Sequence, residues 1–254
     1  MTYRHGEVPS QKGFACLTYH IIGDATSQQY AVREEQFRTH LSVLRSEGYT
    51  VEGFEQLEAR LRGTGPWPER YLVLTIDDGD ASSMRAAEIL AEVGAVATFF
   101  VTRNRCLHKA AYIRESDIRE LRRRGFSLGT HGVTHEKLTF MPEEQCIQEL
   151  RDGKAWLEQV LGEQVRYTAA PGGFVNRLVL RHAAEQGYVL TATCKEWMNL
   201  PESIRLPGNI NRVNIRRHFS TDVFKRIIEG DLLFFLWRQA RAATLAVPKQ
   251  LLLR

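Results

Sequence analysis

The run Tyr71-Leu-Val-Leu-Thr-Ile-Asp-Asp-Gly-Asp80 constrains this chain more than any other stretch. Its first six residues, mostly apolar and β-favouring, read as a buried strand. The strand stops on two adjacent carboxylates, Asp77 and Asp78, followed by Gly79. Two acids side by side at the end of a buried strand are costly unless a cation or hydrogen-bond donors meet them. Neighbouring residues leaving a strand point to opposite faces, so the two acids do different work: one suits a metal, the other a proton. Taken alone, the stretch also reads as a solvated Asp-Gly turn.

A second stretch changes that balance. Phe126-Ser-Leu-Gly-Thr130 is a short strand pattern running directly into His131-Gly-Val-Thr-His135. Two imidazoles four residues apart, at a strand end or on the first turn of a helix, can converge on one ion. With an Asp from another strand end they make a two-His-one-carboxylate site that keeps positions open for water and substrate. Without that Asp, His131 is a capped turn residue and His135 a surface residue.

Thr75-Ile-Asp-Asp-Gly79 followed by His131-Gly-Val-Thr-His135 resembles the polysaccharide deacetylases of carbohydrate esterase family 4. The likeness runs from about Phe14 to about Arg216. It implies an α/β fold, a distorted (β/α)7 barrel. It implies Asp77 as general base, and Asp78, His131 and His135 as ligands of one divalent metal, most often zinc. The family's third motif, arginine-x-proline-tyrosine-glycine, meets Ala169-Ala170-Pro171-Gly172-Gly173 here. Pro171 and Gly173 match and fall in the substrate-binding set. The tyrosine is replaced by Gly172, whose backbone N–H still serves an oxyanion. The motif's arginine is absent. Arg166 does not simply replace it, because three residues along a strand reverses the face.

The same comparison suggests further site residues. Tyr19-His20 ends a first strand over Phe14–Ile22 and resembles the opening of exopolysaccharide-type deacetylases, which would set His20 at the mouth of the metal site. Its alternative is a His under the barrel rim, bonded to backbone. Glu196-Trp197 is a counterpart of the family's acidic-tryptophan pair, with Trp197 as a wall of the sugar pocket. Asn209-Ile-Asn-Arg-Val-Asn-Ile215 alternates like a strand and leads to His218, a candidate general acid alongside His20. Arg212 on that strand is the candidate partner for Asp77 and belongs to the substrate-binding set; a surface salt bridge is its alternative.

The remaining sequence reads as one catalytic domain over residues 1–254, with amphipathic helices expected at 34–47, 54–61, from Ser82–Ser83 to Val93, at 116–124, 142–161 and 222–229. Arg103-Asn-Arg105 reads as a solvated loop, with contact to an anionic part of a substrate as its alternative. Apolar content of 43% and charged content of 25% suit a soluble globular chain. A net charge of +4 is mild, fits an anionic substrate and does not point to nucleic acid. Four scattered cysteines without a C-x-x-C and a polar Met1–Gln11 suggest reduced thiols in the cytoplasm and no signal peptide. Residues 232–247 are too charged to span a bilayer and read as a barrel-covering helix that buries Leu232, Phe235 and Leu236, with a membrane-surface helix as the minority reading.

The resulting expectation is a cytoplasmic, metal-dependent N-deacetylase that hydrolyses the acetamide of an N-acetylated amino sugar and releases acetate. The forms of the sugar in view are free, nucleotide-linked and lipid-linked. The competing readings are a catalytically inactive sugar-binding homologue and an amidohydrolase on a non-sugar amide.

Overall fold

The computed structural model describes residues 13–24 and 28–240. The Met1–Gln11 stretch and everything after residue 240 lie outside the described residues. The elements are β1 (Ala15–Tyr19), β2 (Ile21–Ile22), β3 (Ala31–Val32), α1 (Glu34–Ser46), β4 (Thr50–Glu52), α2 (Phe54–Leu61), β5 (Tyr71–Ile76), α3 (Ser83–Glu92), β6 (Thr98–Val101), α4 (Arg103–His108), α5 (Glu115–Arg123), β7 (Ser127–Thr130), α6 (Glu143–Leu161), β8 (Tyr167–Ala169), α7 (Arg177–Glu185), β9 (Leu190–Ala192), β10 (Gly208–Ile210), β11 (Val213–Asn214) and α8 (Thr221–Ile228). A further helix occupies 232–240.

The main sheet runs β10-β9-β8-β7-β6-β5-β1-β11, with every neighbour parallel. Strand β5 lies at its centre and all six of its residues are buried. Its first half pairs with β4 and its second half with β6, so two strands share one edge. β10 and β11 are two halves of one run: β10 pairs with β9 and β11 with β1, so this run links the two ends of the curled sheet. The side chain of Asn199 holds the bend between them, accepting from Asn211 N at 2.9 Å and donating to Asn211 O at 2.9 Å. This is a distorted barrel of parallel strands wrapped by helices.

Alternation along the strands sorts the core into two clusters. Leu72, Leu74 and Ile76 pack outward against the helices, whereas Tyr71 and Val73 join Cys16, Phe100, Tyr167, Ala169, Leu190, Ala192 and Ile210 inside the barrel. Gly129 also faces inward, because an added Cβ there would lie 2.4 Å from the Phe100 ring. The same period-two rule carries inward positions up to the barrel's C-terminal rim: 16 to His20, 73 to Asp77, 129 to His131 and 210 to Arg212.

Several expectations need correction. The first strand breaks at His20, and its continuation β2 pairs with β3 in a separate two-stranded sheet. Ser82, a residue whose type suits a helix cap, sits at the start of α3 without capping it; its hydroxyl accepts from Ile22 N at 3.0 Å, and the Asp80 carboxylate receives Ser82 N at 2.9 Å. Residues 103–105 form the first turn of α4, not a solvated loop. In the helix at 232–240 Phe235 is 1% exposed, as expected, but Leu232 is 57% exposed and Leu236 48%.

Candidate active site

Asp77 is 1% exposed and faces Arg212, which is 0% exposed. The guanidinium grips the carboxylate with two bonds, Nη1 to Oδ1 and Nη2 to Oδ2, each 2.7 Å. Arg212 also donates through Nη1 to Thr75 Oγ1 at 3.0 Å and through Nε to Thr193 O at 3.0 Å. Burial pushes the Asp77 carboxyl up, and the Arg212 charge, aided by His131, more than reverses this, so Asp77 stays below the ordinary carboxylate range. The structure therefore places Arg212 as the partner of Asp77. It leaves Arg212 no surface to offer a substrate, which removes it from the substrate-binding set.

Asp78 leaves the strand in the left-handed region, at φ 79°, and His135 adopts φ 71°. They are the only non-glycine residues with positive φ among the described residues. Such backbone costs about 1–3 kcal/mol per residue and persists where the surroundings impose it. Here it turns the Asp78 side chain back toward the rim, where strand alternation alone would send it outward.

Asp78, His131 and His135 each bring a ligand atom within 4.8 Å of the others. His135 Nε2 lies 2.8 Å and His131 Nε2 3.5 Å from Asp78 Oδ1. Nevertheless that buried oxygen has no aligned hydrogen bond. Donor atoms that crowd one another without pointing at one another suit a shared cation. His131 Nδ1 faces the Ala169 carbonyl at 2.8 Å, which fixes the ring and leaves Nε2 free as a ligand. Two imidazoles, one carboxylate and open positions fit a divalent metal of the zinc type. Burial lowers His131 to about 4 against the pull of both aspartates.

The loop carrying both histidines is fixed from two sides. Glu149 of α6 accepts from Val133 N at 2.7 Å, Thr134 N at 3.1 Å and Thr134 Oγ1 at 2.8 Å. On the other side the first N–H groups of α4, Arg103 and Asn104, donate to the carbonyls of Gly132 and Val133. Arg105 on that helix reaches Asp78 Oδ1 with Nη1 at 2.8 Å and His135 Nδ1 with Nη2 at 3.0 Å. The sequence reading missed both Glu149 and this role of Arg105. Its signal for Glu149 was an acid on the buried stripe Cys146, Leu150, Leu157 of α6. For Arg105 the sequence carries no signal beyond its place after a strand.

His20 stacks on Tyr30 with centroids 5.0 Å apart, and its buried Nδ1 has no partner. Burial lowers its pKa, while Asp77 and Asp78 nearby oppose that. His218 is exposed on the wall of a cleft of about 730 Å³ that also takes in Gly172, Cys194, Lys195, Glu196, Asn214 and Trp237. Gly172 stands in this cleft in the left-handed conformation, φ 69°. Pro171 is buried, and an added Cβ on Gly173 would lie 2.2 Å from Cys194 Cβ. Both shape the turn around Gly172; Pro171 offers no exposed face, and Gly173 is half-buried. Trp197 packs edge-on to Phe235 at 5.8 Å and lines a different cavity, next to Met198 and Asn199. The tryptophan in the cleft is Trp237, 56% exposed. Glu196 pairs with Arg216 and Arg238.

Comparison with known proteins agrees with this geometry. The family model described as polysaccharide deacetylase matches residues 64–191. The Bacillus subtilis protein YxkH is 25% identical over 178 residues, which cover 70% of this chain and 63% of that one, so the chain spans less than two thirds of that relative. A peptidoglycan-N-acetylglucosamine deacetylase of Bacillus cereus is 26% identical over 170 residues, 66% of this chain and 73% of its own. The Streptococcus pyogenes deacetylase PplD, solved with acetate, superposes with a TM-score of 0.77 at 24% identity, covering 86% of this chain and 99% of that one, and shares the fold. A family match over half of the sequence, on a barrel with two aspartates and two histidines at its rim, shows that the chain belongs to the polysaccharide deacetylases.

Proposed function

We propose that this chain is a single catalytic domain that hydrolyses the acetamide of an N-acetylated amino sugar within a saccharide or glycoconjugate, releasing acetate. The observation that carries this reading is the pairing of an Arg212-held, ionised Asp77 with the Asp78-His131-His135 set on one rim, beside an open cleft. A divalent ion held by those three residues, most suitably Zn²⁺, would polarise the acetyl carbonyl and make a water nucleophilic near neutral pH. Asp77 accepts the water's proton, and its low pKa keeps it ready to do so at neutral pH. The Gly172 N–H supports the oxyanion. His20 is the inward candidate to return a proton to the leaving amine; Asp77 and Asp78 support its charged form against the burial that lowers its pKa, whereas His218 is exposed.

The relative acting on peptidoglycan N-acetylglucosamine supports an acetamido sugar as substrate. Exposed Leu232, Leu233, Leu236 and Trp237 on the helix that borders the cleft support a lipid-linked carrier as one form of it. No helix among the described residues is long and apolar enough to cross a membrane. The four cysteines are free, which supports a reducing compartment such as the cytoplasm. The test is acetate release by the Zn²⁺-loaded protein from free, oligomeric, nucleotide-linked and lipid-linked N-acetyl sugars. Acetate from a sugar arm and not from simple non-sugar acetamides is the expected result. Saccharide binding without acetate would replace the enzyme by a binding protein, and release from non-sugar amides alone would replace it by a general amidohydrolase.

A further inference from the structure

The two histidine ligands are prepared differently. His131 Nδ1 faces a carbonyl, a pure acceptor, so its ring proton sits on Nδ1 and Nε2 keeps its lone pair. His135 Nδ1 faces Arg105 Nη2 at 3.0 Å, and a guanidinium is a pure donor. Nδ1 of His135 therefore accepts, and its ring proton sits on Nε2, the nitrogen that faces Asp78 Oδ1 at 2.8 Å. A metal needs that lone pair. Its binding moves the proton to Nδ1, where Arg105 cannot receive it.

Arg105 also occupies the anionic ligand. Its Nη1 lies 2.8 Å from Asp78 Oδ1, yet this buried nitrogen makes no aligned hydrogen bond. The contrast with Arg212 is instructive. Arg212 is fully enclosed and bonded through Nε and both terminal nitrogens, so it is a permanent anchor. Arg105 keeps 18% side-chain exposure and lies over the Tyr112 ring at 5.3 Å, so it has room to leave.

We propose that Arg105 is a built-in competitor of the metal: in the metal-free protein its guanidinium neutralises Asp78 and holds His135 in the form that cannot ligate, and metal entry requires it to withdraw. This positioning role rests on the proposed metal site. It stabilises the strained, anionic rim before loading and sets metal affinity below what the three ligands alone would give.

The experiment compares the parent with Arg105→Gln and Arg105→Met, following Co²⁺ binding by visible absorption in competition with a chromogenic chelator, and thermal melting with and without Co²⁺. A mismatched outer partner is worth about 10–100-fold in metal affinity, so both variants are expected to bind Co²⁺ tighter on that order, Gln most because its amide oxygen accepts from Nδ1–H. Metal-free variants should melt below the parent, with a larger rise on adding Co²⁺. Lower melting with unchanged or weaker Co²⁺ affinity in both variants would make Arg105 merely structural and overturn the inference. A parent that binds no Co²⁺ would overturn the metal reading itself, and this inference with it.

Discussion

The Asp77–Arg212 pair makes the sharpest energetic prediction. Arg212→Met removes the charge and keeps most of the buried volume. The two side chains are 2% and 0% exposed and share two 2.7 Å bonds. Opposite charges about 4 Å apart at an effective dielectric of about 20 attract by about 4 kcal/mol. Removing one member of a buried pair costs about 3–5 kcal/mol, because the other charge is stranded. Against a domain stability of about 5–15 kcal/mol that loss is large. Its pH dependence has a definite sign. In the parent, Asp77 is held below its unfolded pKa, so its contribution is present above the unfolded carboxylate range and fades as pH falls through the folded value. In Arg212→Met, burial loses its main opponent and raises the pKa. The variant is then penalised at neutral pH and recovers as acid protonates Asp77. Urea denaturation across pH should show these opposite trends, and the acidic limb of the acetate-release profile should move to higher pH. The double variant Arg212→Met/Asp77→Asn should recover most of the stability but not the activity. A single variant within about 1 kcal/mol of the parent at every pH, with an unmoved acidic limb, would refute the pairing argument.

Three further outcomes follow from the same geometry. Asp78→Asn should lose the metal and with it activity, whereas Asp77→Asn should keep the metal and lose turnover by about 10²–10⁴-fold; metal content and acetate release on both proteins decide this. Glu149→Ala strips the acceptor from Val133 N and Thr134 N and should cost about 1–3 kcal/mol per orphaned group, together with metal affinity, measurable by denaturation and chelator competition. Gly173→Ala places a Cβ 2.2 Å from Cys194 Cβ, so its melting temperature should fall more than that of Gly63→Ala, which carries the same left-handed backbone strain at φ 83° but meets nothing within 4 Å.

Period-two patterning made the inner residues legible. Tyr71-x-Val73-x-Thr75-x-Asp77 and Ile210-x-Arg212 show alternation and end on a charge, and in both the charge points into the barrel. That is why Arg212 could be named as the partner of Asp77 before any fold was in hand. Alternation failed where the chain leaves the strand. Asp78 and His135 owe their aim to positive φ, which a sequence reveals only when glycine supplies it. Trp197 was misplaced for a related reason: it follows β9 by several irregular residues, and packing against Phe235, not strand direction, decides which cavity it lines. The amphipathic pattern of residues 232–240 promised more burial than the barrel offers, because Phe234 and Phe235 fill the available contact and leave Leu232 and Leu236 outside.

The family's third motif would place an arginine at position 169, where this chain has Ala169, whereas the arginine that holds Asp77 here comes from position 212. Positions 169 and 212 both lie on the barrel's inner face. Ala169 points into the same interior cluster as Ile210, two residues before Arg212. Position 169 carries a small buried residue whose carbonyl faces His131 Nδ1, and Arg212 supplies the guanidinium that reaches Asp77. The bend at Asn211, held by Asn199, is what lets a strand shared between β9 and β1 carry that side chain beneath the rim. A protein that only bound saccharide would have no use for a buried ion pair that a hydrophobic pair of similar volume could equal in stability. Nor would it need two strained residues at about 1–3 kcal/mol each. Both features suit the proposed hydrolysis, which needs an ionised base held beside a cation site.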